Sequence, residues 1–528
     1  MLDRIDWTTP VPVSSVVENL IKTAAAFPDR PAIDFMGRKT SYGELWHVVR
    51  HAAKGLQTLG LGKGSRVGLC LPNSPYTVIC YYAVLLAGGV VVNFNPLYVE
   101  RELQHQIKDS GTTIMITADL PDILNKVSAV QESSGLEKIV VCPLNPAETA
   151  KLNDNVLISF GELTRNDGFL TEITVDPHRD LAVLQYTGGT TGVPKGAMLT
   201  HANLSANVAQ LTRWFPDIRL GEERVLLVLP LFHVFAMTVG MNLGVAFGAE
   251  LILTPRFEVE NTLHLIAEKR PTLFPGVPTI YTALNAAAAS GSWDLSSIRY
   301  CIAGGAPLPV EVRSQFEQLT GCRLVEGYGL SETSPVACCN PMDGDIKTGS
   351  VGVPIPGTVI EVRSLMDQSL LASGEKGEIC IRGPQVMQGY WQRQADTDAT
   401  FIDGALRTGD VGYVDADGYV FLVDRIKDVI ISGGYNIYPR VIEEALYQHP
   451  AVAEAAVVAI PDAYRGQAPK AYVRLHDDAN ASTEDLKLFL EGYISKIEMP
   501  KLIEIRKQLP KTAVGKFNKV ALANEGAS

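Results

Sequence analysis

The first half of the chain alternates two hydrophobic rhythms. Apolar residues recur at helical spacing through VENLIKTAAAF (17–27). Short apolar runs bounded by glycine or proline occur in PAIDF (31–35), SRVGLCLP (65–72), KIVVCP (138–143) and LAVLQYT (181–187). Runs of that length predict buried strands, and strands separated by helices predict mostly parallel sheets with helical cover. KTSYGEL, directly after PAIDF, predicts a capped helix start. THANLSANVAQL predicts a helix capped by Thr200 or the residues just after it. The uncharged stretch Tyr76–Val92 is slightly short for a membrane span and has Gly88-Gly89 near its end. It predicts a buried helix, a glycine turn and a core strand.

From about Val351 the texture shifts to shorter β segments, GTVIEVRS, GEICIRGP and GYVFLVDR. The last hundred residues alternate again (AVAEAAVVAIP, KAYVRL, EDLKLFLEGYI, EIRKQLP), as a small α+β unit does. The predicted fold class is α/β: a large N-terminal domain of helix-covered sheets plus a β-rich subdomain, then a small α+β C-terminal domain. The boundaries read 1–423, a linker at 424–427, and 428–528.

Bulk properties narrow the function. A length of 528 residues exceeds one ordinary core. The 46 basic and 58 acidic residues give a net charge of −12, which argues against nucleic acid as the main partner. Eight scattered cysteines without metal-ligand spacing read as buried thiols in a reducing compartment. The start, MLDRIDWTTPVP, lacks the apolar core of a signal peptide, and the expected location is cytoplasmic.

The chemistry begins at QYTGGTTGVPKG (185–196). Thr187, Gly188, Gly189, Thr190, Thr191 and Gly192 offer backbone N–H groups and three hydroxyls, and Lys195 adds a mobile cation, as phosphate binding requires. Val193 and Pro194 separate Gly192 from Lys195, and no hydroxyl follows the lysine, so the Walker pattern is excluded. YGLSETSP (328–335) sets an aromatic that can stack on a base, a serine hydroxyl and a carboxylate suited to Mg²⁺ within five residues. AGGAPLP (303–309) lets a flat ligand pack on bare backbone at Gly304 and Gly305. RTGD (407–410) ends in a carboxylate that either accepts ribose hydroxyls or caps its own turn. PKTAVGK (510–516) ends in a lysine that composition alone assigns to the solvated surface.

Together and in this order, YTGGTTGVPKG, YGLSETSP, RTGD and PKTAVGK, with DRIKDVIISGGYNIYP before the last, closely resemble the acyl-activating adenylate-forming superfamily. The resemblance runs from FPDRPAI to GKFNKVAL. Within the superfamily, PLFHVFAMTVGMNLGVAFGAELIL (230–253) is most similar to bacterial medium- and long-chain fatty acyl-CoA synthetases. It implies activation of a carboxylic acid by MgATP as an acyl-adenylate, then transfer to coenzyme A.

Residue by residue, the resemblance implies that Thr187, Gly188, Gly189, Thr190, Thr191 and Lys195 hold the β- and γ-phosphates. Glu332, with Thr187, would hold Mg²⁺, and Ser331 would bond the α-phosphate where the family usually has threonine. Tyr328 would stack on adenine beside Gly304, Gly305 and Ala306, and Asp410 would take the ribose with help from Arg425. Lys516 would bridge the carboxylate and the α-phosphate, which reverses its surface assignment. The family's usual arginine pair after that lysine is replaced by FNKVAL. Asp424 and Lys427 match the hinge of a mobile C-terminal domain. Ser432, Gly433, Gly434 and Tyr435 match the turn beside the pantetheine channel. His233, Phe235, Met237 and Gly305 match the acyl side of the pocket.

The presumed acyl wall (234–244, 276–278 and 303–306) has no charged residue. That suits an alkyl chain, since each buried methylene contributes about 0.8 kcal/mol. The expected substrate is a medium- to long-chain fatty acid. Aryl acids of the coumarate or benzoate type are the alternative, as is loading of a separate carrier protein. A catalytically silent nucleotide-binding regulator is disfavoured by the intact Lys516, Glu332 and Asp410. The sequence leaves open the oligomeric state and any peripheral contact with the inner membrane face.

Overall fold

The computed structural model describes residues 5, 7, 9–144, 156–187, 194–289, 291–432, 435–462, 464–511 and 517–526. It is a mixed α/β protein with a large N-terminal part and a smaller C-terminal one. The apolar runs named above become strands. Arg66–Cys70, Val90–Asn93, Ile114–Ala118, Lys138–Cys142 and Leu157–Ser159 join Leu181–Thr187 in a seven-stranded sheet, parallel except at one edge. At that edge Lys195–Thr200 runs antiparallel to Leu181–Thr187, with Thr187 opposite Lys195. The glycine loop therefore joins two paired strands, where the sequence suggested a direct step from loop to helix. The helix His201–Thr212 follows the added strand and is capped by Thr200, whose hydroxyl accepts the Asn203 amide.

Ser41 likewise closes a capping box with Glu44 at the head of Tyr42–Thr58. The uncharged stretch resolves as a helix, Pro75–Leu86, buried on nearly all sides, then Gly88 at φ +82° and the strand Val90–Asn93. No helix among the described residues is long and apolar enough to cross a membrane.

A second set of strands begins with Arg224–Leu227, Glu250–Leu253 and Pro31–Phe35, which are parallel. Leu273 bridges this group to Tyr300–Ala303, itself parallel to Arg323–Gly329. Val353–Pro354 still pairs with Val336–Cys339, so the β-rich sheet starts at Val359–Arg363 and not at Val351. It continues through Gly377–Arg382, Ala405–Val414 and Val420–Arg425. Five further strands, from Ile430 to Ile505, form the C-terminal sheet with its own apolar core around Ile442, Leu446, Val457 and Val473.

Candidate active site

In parallel sheets, ligand-binding residues collect where strands end. Thr187 closes its strand at the carboxyl edge of the first sheet. In the second, Ala303 pairs with Glu326, so the turn at Gly304–Ala306 and the residues Tyr328–Glu332 leave neighbouring strands at the same edge. Gly304 is buried, and a side chain there would begin 3.2 Å from the Phe235 ring. Gly305 sits at φ +84°, a conformation that favours glycine, and is exposed beside half-buried Ala306.

Tyr328 and Asp410 come from different sheets and are joined by a hydroxyl-to-carboxylate bond of 2.5 Å. The other oxygen of Asp410 accepts Arg425 Nε–H at 2.8 Å, because the two residues face each other across paired strands. Burial first, then the Asp410 charge, raises the Tyr328 phenol well above its ordinary value and keeps it a donor. Asp410 is thus buried, paired with its arginine and oriented from two sides.

Ser331–Thr333 is a single 3₁₀ turn. Thr333 is buried and locks it: its hydroxyl accepts the Leu330 amide at 2.9 Å. Ser331 and Glu332 are left half-buried on the turn. Glu332 Oε1 accepts the hydroxyl of Tyr390 at 2.8 Å, and the Glu332 carbonyl accepts the Met387 amide. Lys195 lies 5.3 Å from the centre of the Tyr390 ring and pairs with Asp396 at 2.7 Å. Neither Tyr390 nor Asp396 was singled out from the sequence. Their partners lie far away along the chain and leave no local periodicity.

His233 Nδ1 accepts the Phe235 amide at 3.3 Å. Phe235 and Met237 are buried, Phe235 directly before the π-helix Ala236–Asn242 and Met237 within it. Asn93 donates to Gln185 and to the Met237 sulfur, and Gln185 donates to the Phe232 carbonyl. This buried chain ties the strand before Thr187 to the wall that carries His233.

Asp424 is buried and accepts the Arg440 amide at 2.8 Å, at the head of the helix Pro439–Tyr447. Burial pushes its carboxyl up to about 6 against the opposing charge of Lys519. Lys427 is exposed, and Ser432 is buried opposite Tyr435. Gly188, Gly189, Thr190, Thr191, Gly433, Gly434 and Lys516 lie outside the described residues. A cavity of about 240 Å³ opens at the opposite, amino ends of the first sheet, lined by Lys63, Arg66, His201 and Trp391. Tyr328, Glu332, Asp410 and His233 are not among the described residues that line it.

Residues 20–391 match the AMP-binding enzyme family, and residues 441–516 match the AMP-binding enzyme C-terminal domain. The chain belongs to the AMP-binding enzyme family. Among relatives in this family is a Long-chain-fatty-acid–CoA ligase of Bacillus subtilis (strain 168), 44% identical, covering 98% of this chain and 95% of its own length. Another ligase of that name, from Escherichia coli O157:H7, is 37% identical over 97% and 94%. ATP-bound MatB from Rhodopseudomonas palustris superposes with a TM-score of 0.87 at 30% identity, covering 97% of this chain and 99% of MatB. Members of the AMP-binding enzyme family need a site for a nucleotide, and the two clusters around Asp410 and Glu332 supply oriented polar groups for one. No group of three or more His, Cys, Asp or Glu side chains suited to a metal occurs among the described residues. A lone Glu332 with one oxygen fixed fits Mg²⁺ that arrives with phosphates, which usually takes only one or two protein carboxylates.

Proposed function

We propose that this AMP-forming acid–thiol ligase activates a medium- to long-chain fatty acid and transfers it to coenzyme A. The supporting observation is two oriented carboxylates, Asp410 held by Tyr328 and Arg425 and Glu332 held by Tyr390, in a chain similar end to end to long-chain ligases. Asp410 accepts the ribose hydroxyls, held for that task by Tyr328 and Arg425, while Tyr328 offers its ring to adenine. Thr187, the glycine loop and Lys195 hold the outgoing phosphates. Glu332, with Thr187, would hold Mg²⁺, which would neutralise phosphate charge when bound. Ser331 bonds the α-phosphate.

The fatty acid lies along the uncharged wall of Phe235 and Met237, with His233 at the polar end. Its carboxylate oxygen forms a bond to the α-phosphorus as the bond to pyrophosphate breaks, and Lys516 holds both anions together. The thiolate of coenzyme A then attacks the acyl carbon, AMP leaves, and a thioester results. Asp424 and Lys427 form the hinge that exchanges Lys516 for the turn at Ser432–Tyr435 between the two steps. Eight free, buried cysteines support a cytoplasmic site of action.

The test is an acid panel spanning alkyl lengths and aryl acids, with AMP, pyrophosphate and thioester all followed. Activity should rise with alkyl length and require free coenzyme A. Indifference to alkyl length, or a product formed only on a carrier protein, overturns the reading.

A further inference from the structure

We propose that Tyr390 is a positioning residue for adenylation: its hydroxyl sets the Glu332 carboxylate while its ring seats the Lys195 ammonium. The inference rests on the ligase reading given above.

The backbone around Tyr390 is pinned to both elements it serves. The Met198 amide donates to the Gly389 carbonyl, the Gln388 amide to the Met198 carbonyl, and the Trp391 amide to the Gly196 carbonyl. Residues 388–391 therefore lie along the strand Lys195–Thr200, with Tyr390 bridged to Ala197. One residue earlier, the Met387 amide holds the carbonyl of Glu332 itself. A second anchor lies behind. Asp109 accepts the hydroxyl of Tyr186 at 2.6 Å and Arg393 Nη2–H at 2.8 Å, and its carbonyl accepts the Trp391 indole N–H. Tyr186 directly precedes Thr187, so this stretch is tied to both arms of the phosphate loop.

From that frame the Tyr390 side chain reaches two functional groups at once. Its one hydroxyl proton goes to Glu332 Oε1. Among the described residues no donor occupies Oε2, which leaves that oxygen for a cation. The ring contact holds the Lys195 ammonium without consuming its N–H donors. The Asp396 partner of Lys195 is half-exposed, so that ion pair is weak and yields to a polyphosphate of higher charge. Adenylation needs the metal-binding carboxylate and the phosphate-binding cation at a fixed separation, and one aromatic residue in contact with both sets it.

Tyr390→Phe keeps the ring and removes the hydroxyl. The magnesium concentration for half-maximal ATP–pyrophosphate exchange should rise about 5-fold, the effect of roughly one lost hydrogen bond. The kcat at saturating magnesium should fall by less. Without turnover, the rise in melting temperature given by MgATP should shrink, while the rise given by ATP in excess chelator stays as in the parent protein. Tyr390→Leu, which also removes the ring, should in addition weaken metal-free pyrophosphate binding by calorimetry. Parent-like magnesium dependence in Tyr390→Phe, or equal losses with and without metal, overturns the proposal. Glu332→Gln separates the two levels. If it raises the magnesium requirement and Tyr390→Phe does not, the positioning role fails and the ligase reading stands. If Glu332→Gln changes nothing, the assignment of Glu332 has failed, and the positioning role falls with it.

Discussion

Tyr328 and Asp410, 82 positions apart, meet through a 2.5 Å hydrogen bond that joins the nucleotide-edge turn to the β-rich sheet. On the proposed role of Asp410, removing the carboxylate removes the ribose acceptor, and it strands Arg425. For Asp410→Ala we expect the half-saturating ATP concentration to rise about 10–100-fold, as for a lost charge-assisted hydrogen-bond pair. The variant should also lose any preference for ATP over 2′-deoxy-ATP. Tyr328→Phe keeps the ring and should cost only a few-fold. Pyrophosphate-exchange kinetics with both nucleotides provide the check.

Lys516→Ala should abolish acyl-adenylate formation while sparing thioester formation from supplied acyl-adenylate. The two half-reactions are measured separately, by pyrophosphate release and by thiol consumption. Equal loss of both would contradict the assignment.

Phe235 is buried against the turn at Gly304, which on the proposed reading puts it between the acyl chain and the nucleotide. Phe235→Ala opens space there and should cost about 3 kcal/mol of stability, as large-to-small core changes do. Relative kcat/KM should move towards bulkier acids. An unchanged ranking across the acid panel would remove Phe235 from the pocket, and denaturant melts report the stability cost.

Asp424 provides a pH test. Its folded-state carboxyl sits at about 6 against an ordinary value of 3.8, so the folded protein holds the proton more tightly than the unfolded chain. The resulting stabilisation is fully present below pH 3.8 and lost as pH rises through about 6. From this group alone, stability should fall on the order of 2–3 kcal/mol across that window. Arg440, Lys519 and Glu443 are the charged neighbours, and all are retained in Asp424→Asn. The variant's denaturation midpoint should lack this component of the pH slope, and parallel slopes for the two proteins would refute it.

Local features of the fold were legible in the sequence. Leu181–Thr187 is an apolar run stopped by glycine, Ser41 and Thr200 are helix caps three residues ahead of their partners, and Gly88 marks a turn after a buried helix. The motifs proposed for the site stood out because they concentrate distinctive residues in short segments, and the structure adds the Tyr328–Asp410–Arg425 contacts between two of them. What failed to show was long-range or uniform. The strand Lys195–Thr200 was missed because KGAMLT lacks a strong alternation and leads straight into a helix. The wide turns of Ala236–Asn242 were invisible because every residue there is buried, so no solvent face marks the period. Tyr390 looked like part of a β-rich stretch, since its meaning comes from Glu332 and Lys195, 58 and 195 positions away respectively.

Asp424 and Arg425 are consecutive, and strand alternation sends their side chains to opposite sides: Arg425 to the carboxylate of Asp410, Asp424 to the head of the helix Pro439–Tyr447. On the proposed ribose role of Asp410, a single peptide unit thus separates the sugar contact from the contact that grips the C-terminal part, so the hinge and the nucleotide site adjoin directly.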